Sequence, residues 1–528
     1  MRTFSWSSRR LLSCCLAVSV FGGFTLLAAA PAERPATRPA TPASGWATPE
    51  QGYEAVDRFL QEQIDGIGIP GAAVVVVQHG LQVHSAAFGR ADDSGRPMTA
   101  RTPVLLASTT KSLTAIAVMQ QVEAGRLRLD EPVQTYLPWF TLRDSRAADI
   151  TVRHLLHQAS GMASKDTAFE GSETQNPEAL EEGVRALSDA PLAGTPGEAF
   201  GYANANFNIL GLLVEKVSGQ PFGDYMEQHV FEPLEMVHSH PTRAAAREDN
   251  VAAGHSLWFG GFWLQTEVPA PTTGMPSTTL YASAEDKSHE LIALLDEGSY
   301  RDRRILQPAS VQTLLEPRVR IDESKEYAMG WFTRPLVESA DPSEQPDADT
   351  LPLLVEHQGE WGNSHTYQAM VPASNLGVVL VINGNDTSAP SRLKTIDTNV
   401  LRILHGQDPV PTVVQEDWLQ RYSWAVSLAL LLLELLSLWL ALSVLVRRPA
   451  RARRRWSPLA LAVGALVLDG FALWLCFVYA PAKFDTNLAV IIRQFPDVGV
   501  SLVPVLALAI VWSVPRTVWL LVRMRARL

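Results

Sequence analysis

Disulfide chemistry has almost no material in this 528-residue chain: its three cysteines are Cys14, Cys15 and Cys476, and none lies between residues 33 and 421. A small disulfide-stapled scaffold is therefore excluded. The central several hundred residues must hold together through their own apolar core, and that length is sufficient for one. Lysine is scarce too, with seven residues, so arginine supplies most of the 44 basic side chains. With 55 acidic residues the formal net charge is −11, which argues against nucleic acid or another anionic polymer as a partner. There is no internal repeat.

The average charge hides a division. Residues 1–32 carry three arginines and no acid, and residues 422–528 carry twelve basic against four acidic residues, which leaves residues 33–421 with 29 basic and 51 acidic, net −22. An acidic middle thus lies between basic, apolar ends. At the N-terminus, Arg9 and Arg10 precede the apolar run Leu11 to Ala30, and Ala30-Pro31-Ala32 offers small residues for cleavage. This is the pattern of a secretory signal peptide, assigned to residues 1–32. The string Leu11-Leu12-Ser13-Cys14 is like a lipoprotein box but has almost no apolar stretch before it, and Ser8-Arg9-Arg10 matches a twin-arginine signal only in part. Residues 33–50, rich in Pro and Ala, read as an extended linker.

Three apolar runs near the C-terminus, 422–446, 457–480 and 497–519, are long enough to span a membrane as helices. Arg447, Arg448, Arg451, Arg453, Arg454 and Arg455 follow the first run, and Arg523, Arg525 and Arg527 follow the third. The positive-inside rule places both clusters in the cytoplasm and residues 51–407 in the periplasm or outside the cell, so a multi-pass protein of the inner (cytoplasmic) membrane is expected. Glu434 and Asp469 interrupt the first two runs. Each is about 11 residues from the outer end of its run, a depth of roughly 16 Å. Intramembrane acids suggest a role beyond anchoring; the plainer reading is a protonated carboxyl hydrogen-bonded within the bundle, for example to Ser437.

Within the acidic middle, Gly71 to Gln78 and Leu81 to Phe88 flank His79-Gly80 as an expected antiparallel hairpin. Thr110 to Ala124 has apolar residues at helical spacing and a glycine stop at Gly125. Strand patterning returns at Leu353 to Glu356, Thr366 to Val371 and Gly377 to Asn383. Strands at both ends with helices between them predict an α+β domain: one antiparallel sheet built from N- and C-terminal parts, with a helical insertion beside it.

Three strings carry chemistry. Ser108-Thr109-Thr110-Lys111 opens the predicted helix, where positions i and i+3 share a face, so hydroxyl and amine come within hydrogen-bond reach. A helix cap followed by a solvated lysine would give the same letters. Tyr202-Ala203-Asn204 lies in a small-residue loop before the predicted helix Asn208 to Val217. A phenol beside an ammonium can lose its proton below its usual range and act as a base, and Asn204 can bind a substrate amide or Lys111. His357-Gln358-Gly359 adjoins a predicted strand, with a glycine that lets substrate lie along the edge. The backbone NH groups of Glu360 and Ser108 could then form an oxyanion hole.

In this order the three strings resemble the serine β-lactamase and penicillin-binding protein family, in its branch of class C β-lactamases, D-aminopeptidases and esterases. The resemblance runs from about residue 53 to 404. It includes Ile69-Pro70-Gly71, Leu129-Asp130-Glu131-Pro132-Val133, Ile150 to Leu156 with Ser160-Gly161, Leu212 to Phe222, Ser283-Ala284-Glu285-Asp286 and Met329-Gly330-Trp331. It implies a β-lactamase-like fold with Ser108 as the acylated nucleophile. Lys111 and Tyr202 would share the proton transfers, and Asn204, His357, Gly359 and Glu360 would line the substrate. No cofactor and no metal are implied: His154 falls on a family helix position, which leaves His157 alone, and His238 with His240 makes no convincing site.

Two departures stand out. His157-Gln158-Ala159-Ser160-Gly161 replaces the family's Thr-His-Thr-Ser-Gly, a change expected in packing alone. His357 replaces the lysine that meets the substrate carboxylate in true β-lactamases, which weakens the case for β-lactam hydrolysis and raises esterase and peptidase activity. The whole architecture resembles the periplasmic peptidases, the colibactin-maturation enzyme among them, that strip an acyl-D-asparagine cap from prodrugs. That resemblance implies a peptidase or amidase on D-amino-acid-containing or acylated, amphiphilic peptides, with membrane lipids as neighbours and no protein partner identified. The rivals are an esterase or β-lactam hydrolase, and a non-catalytic cell-wall peptide sensor signalling through Glu434 and Asp469.

Overall fold

Val74, Val75, Val76 and Val77 are all β-branched and all buried, which suits a strand covered on both faces. They lie in β1 (Gly71–Gln78), paired through the expected turn with β2 (Leu81–Gly89). The computed structural model describes residues 48–162, 176, 178–340, 347–389, 391–411, 414, 416–446, 457–483 and 487–525. The signal segment 1–32, nearly all of the linker and the arginines of 447–455 lie outside the described residues, as does Arg527.

The later strands are β3 (Val319–Arg320), β4 (Glu326–Tyr327), β5 (Phe332–Pro335), β6 (Leu353–Trp361), β7 (Ser364–Val371) and β8 (Leu376–Ile382). They complete one eight-stranded antiparallel sheet in the order β2-β1-β8-β7-β6-β5-β4-β3. N- and C-terminal strands meet where Ala72 opposes Ile382 and Gln78 opposes Leu376, so the expected α+β architecture is present. Because successive side chains alternate faces, Ala72, Val74 and Val76 pack on one side and Ala73, Val75 and Val77 on the other. The first side is covered by α1 (Pro49–Ile67) and the second by helices of the insertion, α2 (Thr110–Glu123), α3 (Asn204–Ser218) and α4 (Ala284–Leu295). Helix α5 (Ser391–Leu404) lies beside α1 on the first face.

Beyond this domain come α6 (Trp418–Val446), α7 (Ser457–Trp474, continued to Lys483) and α8 (Pro496–Arg525). Their segments 418–440, 463–483 and 496–519 have mean hydropathies of 1.9, 1.9 and 2.1, long and apolar enough to cross a membrane. Arg516, on α8, sits between the two acids singled out above: its guanidinium pairs with Glu434 of α6 and Asp469 of α7, and donates to Ser437 Oγ at 3.1 Å and the Ala465 carbonyl at 3.3 Å. All three charged side chains are buried. Both carboxyls are thus hydrogen-bonded within the bundle, as the plainer expectation has it, but their partner is Arg516, which itself takes Ser437. Three helices are joined at one point, each through one side chain.

The short helix Leu488–Gln494, between α7 and α8, reaches the sheet. A Cβ placed on Gly362, in the turn after β6, would lie 2.6 Å from the Gln494 carbonyl. Asp497, in the first turn of α8, accepts the Phe259 NH at 3.1 Å, and Gln420 of α6 donates to Thr387 at 2.6 Å. The end of the sheet formed by Gly71, Gly89, Trp361, Ser364 and Ile382 therefore faces the apolar helices.

Candidate active site

Ser108 lies in a single 3-10 turn, Ala107–Thr109, that leads into α2. Ala107 has φ = +48°, a left-handed conformation that L residues seldom adopt, and such strain persists only where the surroundings fix it. Here they do. The Leu106 carbonyl accepts from Thr366 Oγ1 at 2.6 Å and Thr109 Oγ1 at 2.8 Å, and the Leu105 carbonyl accepts from Ser364 Oγ at 2.6 Å. Two side chains of β7 thereby pin the serine turn to the sheet. Beneath it, the buried Lys287 ammonium pairs with Glu290 and donates to the Thr109 carbonyl at 3.2 Å.

Lys111 comes round on the next turn of α2, and its Nζ lies 3.1 Å from Ser108 Oγ. The side chain is fully buried, and burial pushes its pKa well below the usual lysine range. A neutral amine has two N–H bonds and one lone pair. Asn204 Oδ1 at 2.7 Å and the Ser277 carbonyl at 2.9 Å can take those two N–H bonds, so in its neutral form, which burial favours, Lys111 would keep its lone pair for the Ser108 proton. The Ser277 carbonyl reaches that place because Gly211 lets Pro276 approach α3: a Cβ at 211 would lie 2.1 Å from Pro276 Cγ.

The Tyr202 hydroxyl lies 2.8 Å from Ser108 Oγ and donates to it. The sequence alone suggests a phenol of lowered pKa, but burial outweighs the hydrogen bond to Ser108 and pushes Tyr202 up, so the hydroxyl keeps its proton. Helix α3 starts at Asn204, four residues before the expected Asn208, because the loop ahead of it is anchored. Gln158 Oε1 accepts the Ala203 NH at 3.0 Å and also an Asn206 N–H, and the Gln158 carbonyl accepts the Gly201 NH at 2.7 Å. Gln158 is one of the departures noted from the family string, and its contact to Tyr202-Ala203-Asn204 cannot be read from either string alone.

His357 lies within β6, not beside it. Its Nδ1 is 2.6 Å from the Gln358 carbonyl, which can only accept, so Nδ1 carries the hydrogen and Nε2 accepts from the Tyr327 hydroxyl at 3.3 Å. Burial pushes its pKa down to about 3. A neutral ring occupies the place of the family's ammonium. Phe332 packs against it at 5.0 Å between centroids and stacks on Tyr202 at 6.5 Å, giving the cleft an aromatic wall. Gly359 follows, and the Cβ it lacks would lie 3.2 Å from the Ser108 nitrogen. Glu360 points away and pairs with Lys394 at 3.1 Å.

The structure thus brings Ser108, Lys111, Tyr202, Asn204, His357 and Gly359 together at one place, while the side chain of Glu360 turns away. Ser391 and Lys394 on α5 repeat the i, i+3 spacing of Ser108 and Lys111, but Lys394 is half-exposed and engaged by Glu360. Burial, not spacing, marks Lys111. Among the described residues no group of His, Cys, Asp or Glu is arranged to hold a metal ion.

The chain is 26% identical over 358 residues to Protein flp of Staphylococcus aureus strain MW2, covering 66% of each, so it spans just under two thirds of the length of that relative. It superposes on the octameric penicillin-binding protein homologue from Pyrococcus abyssi with a TM-score of 0.58 and 25% identity, covering 71% of this chain and 81% of the other. A class C beta-lactamase superposes at 0.55 with 20% identity, covering 67% and 95%, a likeness of fold. The family profile described as Beta-lactamase matches residues 56–399, close to the 53–404 over which the motifs resemble it, and the chain belongs to the beta-lactamase and penicillin-binding protein family of serine hydrolases.

Proposed function

We propose that the chain is a membrane-anchored, extracytoplasmic serine hydrolase that works through an acyl-enzyme on Ser108. The substrates we assign are D-amino-acid-containing or acylated peptides, cleaved at an amide. The observation that carries this reading is the set of contacts of the buried Lys111: Asn204 and Ser277 take two of its hydrogens, and its third position faces Ser108 Oγ at 3.1 Å. Lys111 takes the hydroxyl proton as Ser108 attacks the carbonyl carbon. Tyr202, still protonated, gives its proton to the leaving nitrogen, and the phenolate left behind recovers the proton that Lys111 took, since both groups border Ser108 Oγ, at 2.8 and 3.1 Å. The backbone NH groups of Ser108 and Glu360 hold the oxyanion, and water releases the acyl group by the reverse route.

A neutral His357 supports substrates without a carboxylate at that position, which also keeps ester hydrolysis as a second reading. An amphiphilic substrate is supported by height: Gly359 is three residues from Gly362, about 10 Å along a strand, and Gly362 abuts the helix between the second and third apolar helices. A substrate with an acyl chain in lipid could present its amide there.

The test is to treat the full chain and its Ser108→Ala variant with a fluorophosphonate and a penicillin probe, then with acyl-D-amino-acid amides, the matching esters and a chromogenic cephalosporin. Ser108-dependent labelling with amide turnover is expected. Turnover of esters alone would remove the peptidase reading, and no Ser108-dependent acylation by any of them would leave a binding protein.

A further inference from the structure

Residues 255–265 take no part in the proton transfers described above. His255–Trp258 runs antiparallel to Phe262–Gln265 and parallel to Gly384–Asn385. The turn and second strand read Phe259-Gly260-Gly261-Phe262-Trp263-Leu264, and two of these apolar side chains are open: Phe262 is 66% exposed and Leu264 45%. Trp263 between them is tied inward, its indole donating to the Ile67 carbonyl at 2.8 Å. Large apolar side chains presented together on a surface mark an interaction site.

The position of the turn identifies the partner. The Phe259 NH is bonded to Asp497 in the first turn of α8, and the Gly260 carbonyl accepts from Arg421 in the first turn of α6 at 3.5 Å. Exposed aromatics mark the same ends of the apolar helices: Trp418 is 51% and Tyr422 50% exposed, and the Trp418 ring lies 6.4 Å from that of Tyr479. Such belts sit at the headgroup level of a bilayer. Phe262 is three residues from Phe259 and so within about 10 Å of that level. Beside it, the helix Leu488–Gln494 exposes Ile492 and Arg493, an apolar and a basic side chain suited to the same zone.

We propose that the hairpin His255–Gln265 is a lipid-docking element of the catalytic domain, with Phe262 and Leu264 inserted into the leaflet on that side of a phospholipid bilayer. The hairpin also holds the site: Ser256 Oγ donates to the Gly362 carbonyl at 2.6 Å, and Asn363 Nδ2 donates to the Thr266 carbonyl at 2.6 Å. Gly362 and Asn363 are the turn that ends β6, so the depth of the hairpin in lipid sets the height of the His357–Gly359 edge. The inference rests on the three apolar helices crossing a bilayer and does not depend on catalysis.

The test uses the full chain with Cys14→Ser, Cys15→Ser and Cys476→Ala, carrying Phe262→Cys, Leu264→Cys or Leu81→Cys labelled with an environment-sensitive fluorophore. Leu81 is 67% exposed but lies at the opposite end of the sheet, about 25 Å along β1 from Gly71. In phosphatidylcholine vesicles containing headgroup-level nitroxide lipid, labels at 262 and 264 should be quenched at least about twofold more than the label at 81. Equal quenching at all three sites overturns the proposal. So does protection of 262 and 264 that persists in detergent with crosslinks to a second copy, which would make the hairpin a protein interface. Failure of the chain to float with the vesicles would overturn both the membrane crossing and the hairpin's seat.

Discussion

Replacing Gly359 with alanine tests whether the strand edge and the serine turn form one rigid contact. The added Cβ would stand 2.2 Å from Thr366 Oγ1 and 2.3 Å from the Leu106 carbonyl oxygen, where ordinary contact begins at 3.4 Å. About 1 Å of retreat is required, and little is available: Thr366 Oγ1 and the Leu106 carbonyl are bonded to each other, and β6 is held to β7 along its length. Overpacking of this kind costs about 1–3 kcal/mol of stability. A shift of about 1 Å between reacting groups lowers the rate roughly 100-fold, which corresponds to about 2.7 kcal/mol of barrier. The assay is the second-order rate of Ser108 labelling by a fluorophosphonate, with thermal unfolding followed on the same preparations and Ser108→Ala as the zero. Gly359→Ala should melt a few degrees lower and label roughly 100-fold more slowly. Pairing it with Thr366→Ala, which removes the nearer obstacle, should return part of the rate. Labelling within about threefold of the parent, with the fold intact, would refute the reasoning that this contact places the nucleophile.

Two further outcomes follow from buried charge. Arg516→Leu leaves Glu434 and Asp469 facing each other without a cation, and loss of one partner from a buried ionic group costs about 3–5 kcal/mol. Protease resistance of the apolar helices in detergent should fall, and Glu434→Leu with Asp469→Leu added to Arg516→Leu should restore it. His357 is held neutral by burial down to about pH 3, whereas an unfolded histidine takes its proton near 6.5. Its unfolded state therefore binds more protons below pH 6.5, so its contribution to stability is complete above that pH and declines as pH falls towards 3. His365, raised by Asp397, titrates in the opposite sense, so the measured quantity is the difference in melting temperature between the parent and His357→Gln across pH 3–8. A difference that does not change with pH would contradict a buried, neutral His357.

Much of the sheet was legible because its evidence is local. The valines of β1, the His79-Gly80 turn and the apolar, β-branched run of β8 are each a signal contained in a few neighbouring residues. Ser108 and Lys111 were legible for the same reason, as one helical turn determines their geometry. Asn204 could not be assigned a specific bond from its string, since its partner Lys111 lies 93 positions away. The expected lowering of the Tyr202 pKa is reversed because the sequence shows a lysine nearby but not the burial that pushes the phenol up. Gln158, Ser277 and the Lys287–Glu290 pair were not singled out as site residues. Gln158 was visible only as a departure from the family string, and its bonds to the tyrosine loop exist only once the helices pack. Arg516 was missed for a different reason: counted with the basic residues of the C-terminal end, it looked like part of a topology signal, and only the packing of α8 against α6 and α7 shows it as the counterion of both acids.

The order in which these partners leave the ribosome has a consequence for biogenesis. Glu434 and Asp469 are synthesised 82 and 47 residues before Arg516, so the first two apolar helices enter the membrane carrying acids whose counterion does not yet exist. The same last segment supplies Gln494 and Asp497, against which Gly362 and Phe259 of the catalytic domain rest. A chain cut short before the third helix therefore has both an uncompensated pair of acids in lipid and a catalytic edge without its backing. Charge matching among the three apolar helices and the backing of the sheet edge at Gly362 therefore depend on the same last-made segment of the chain.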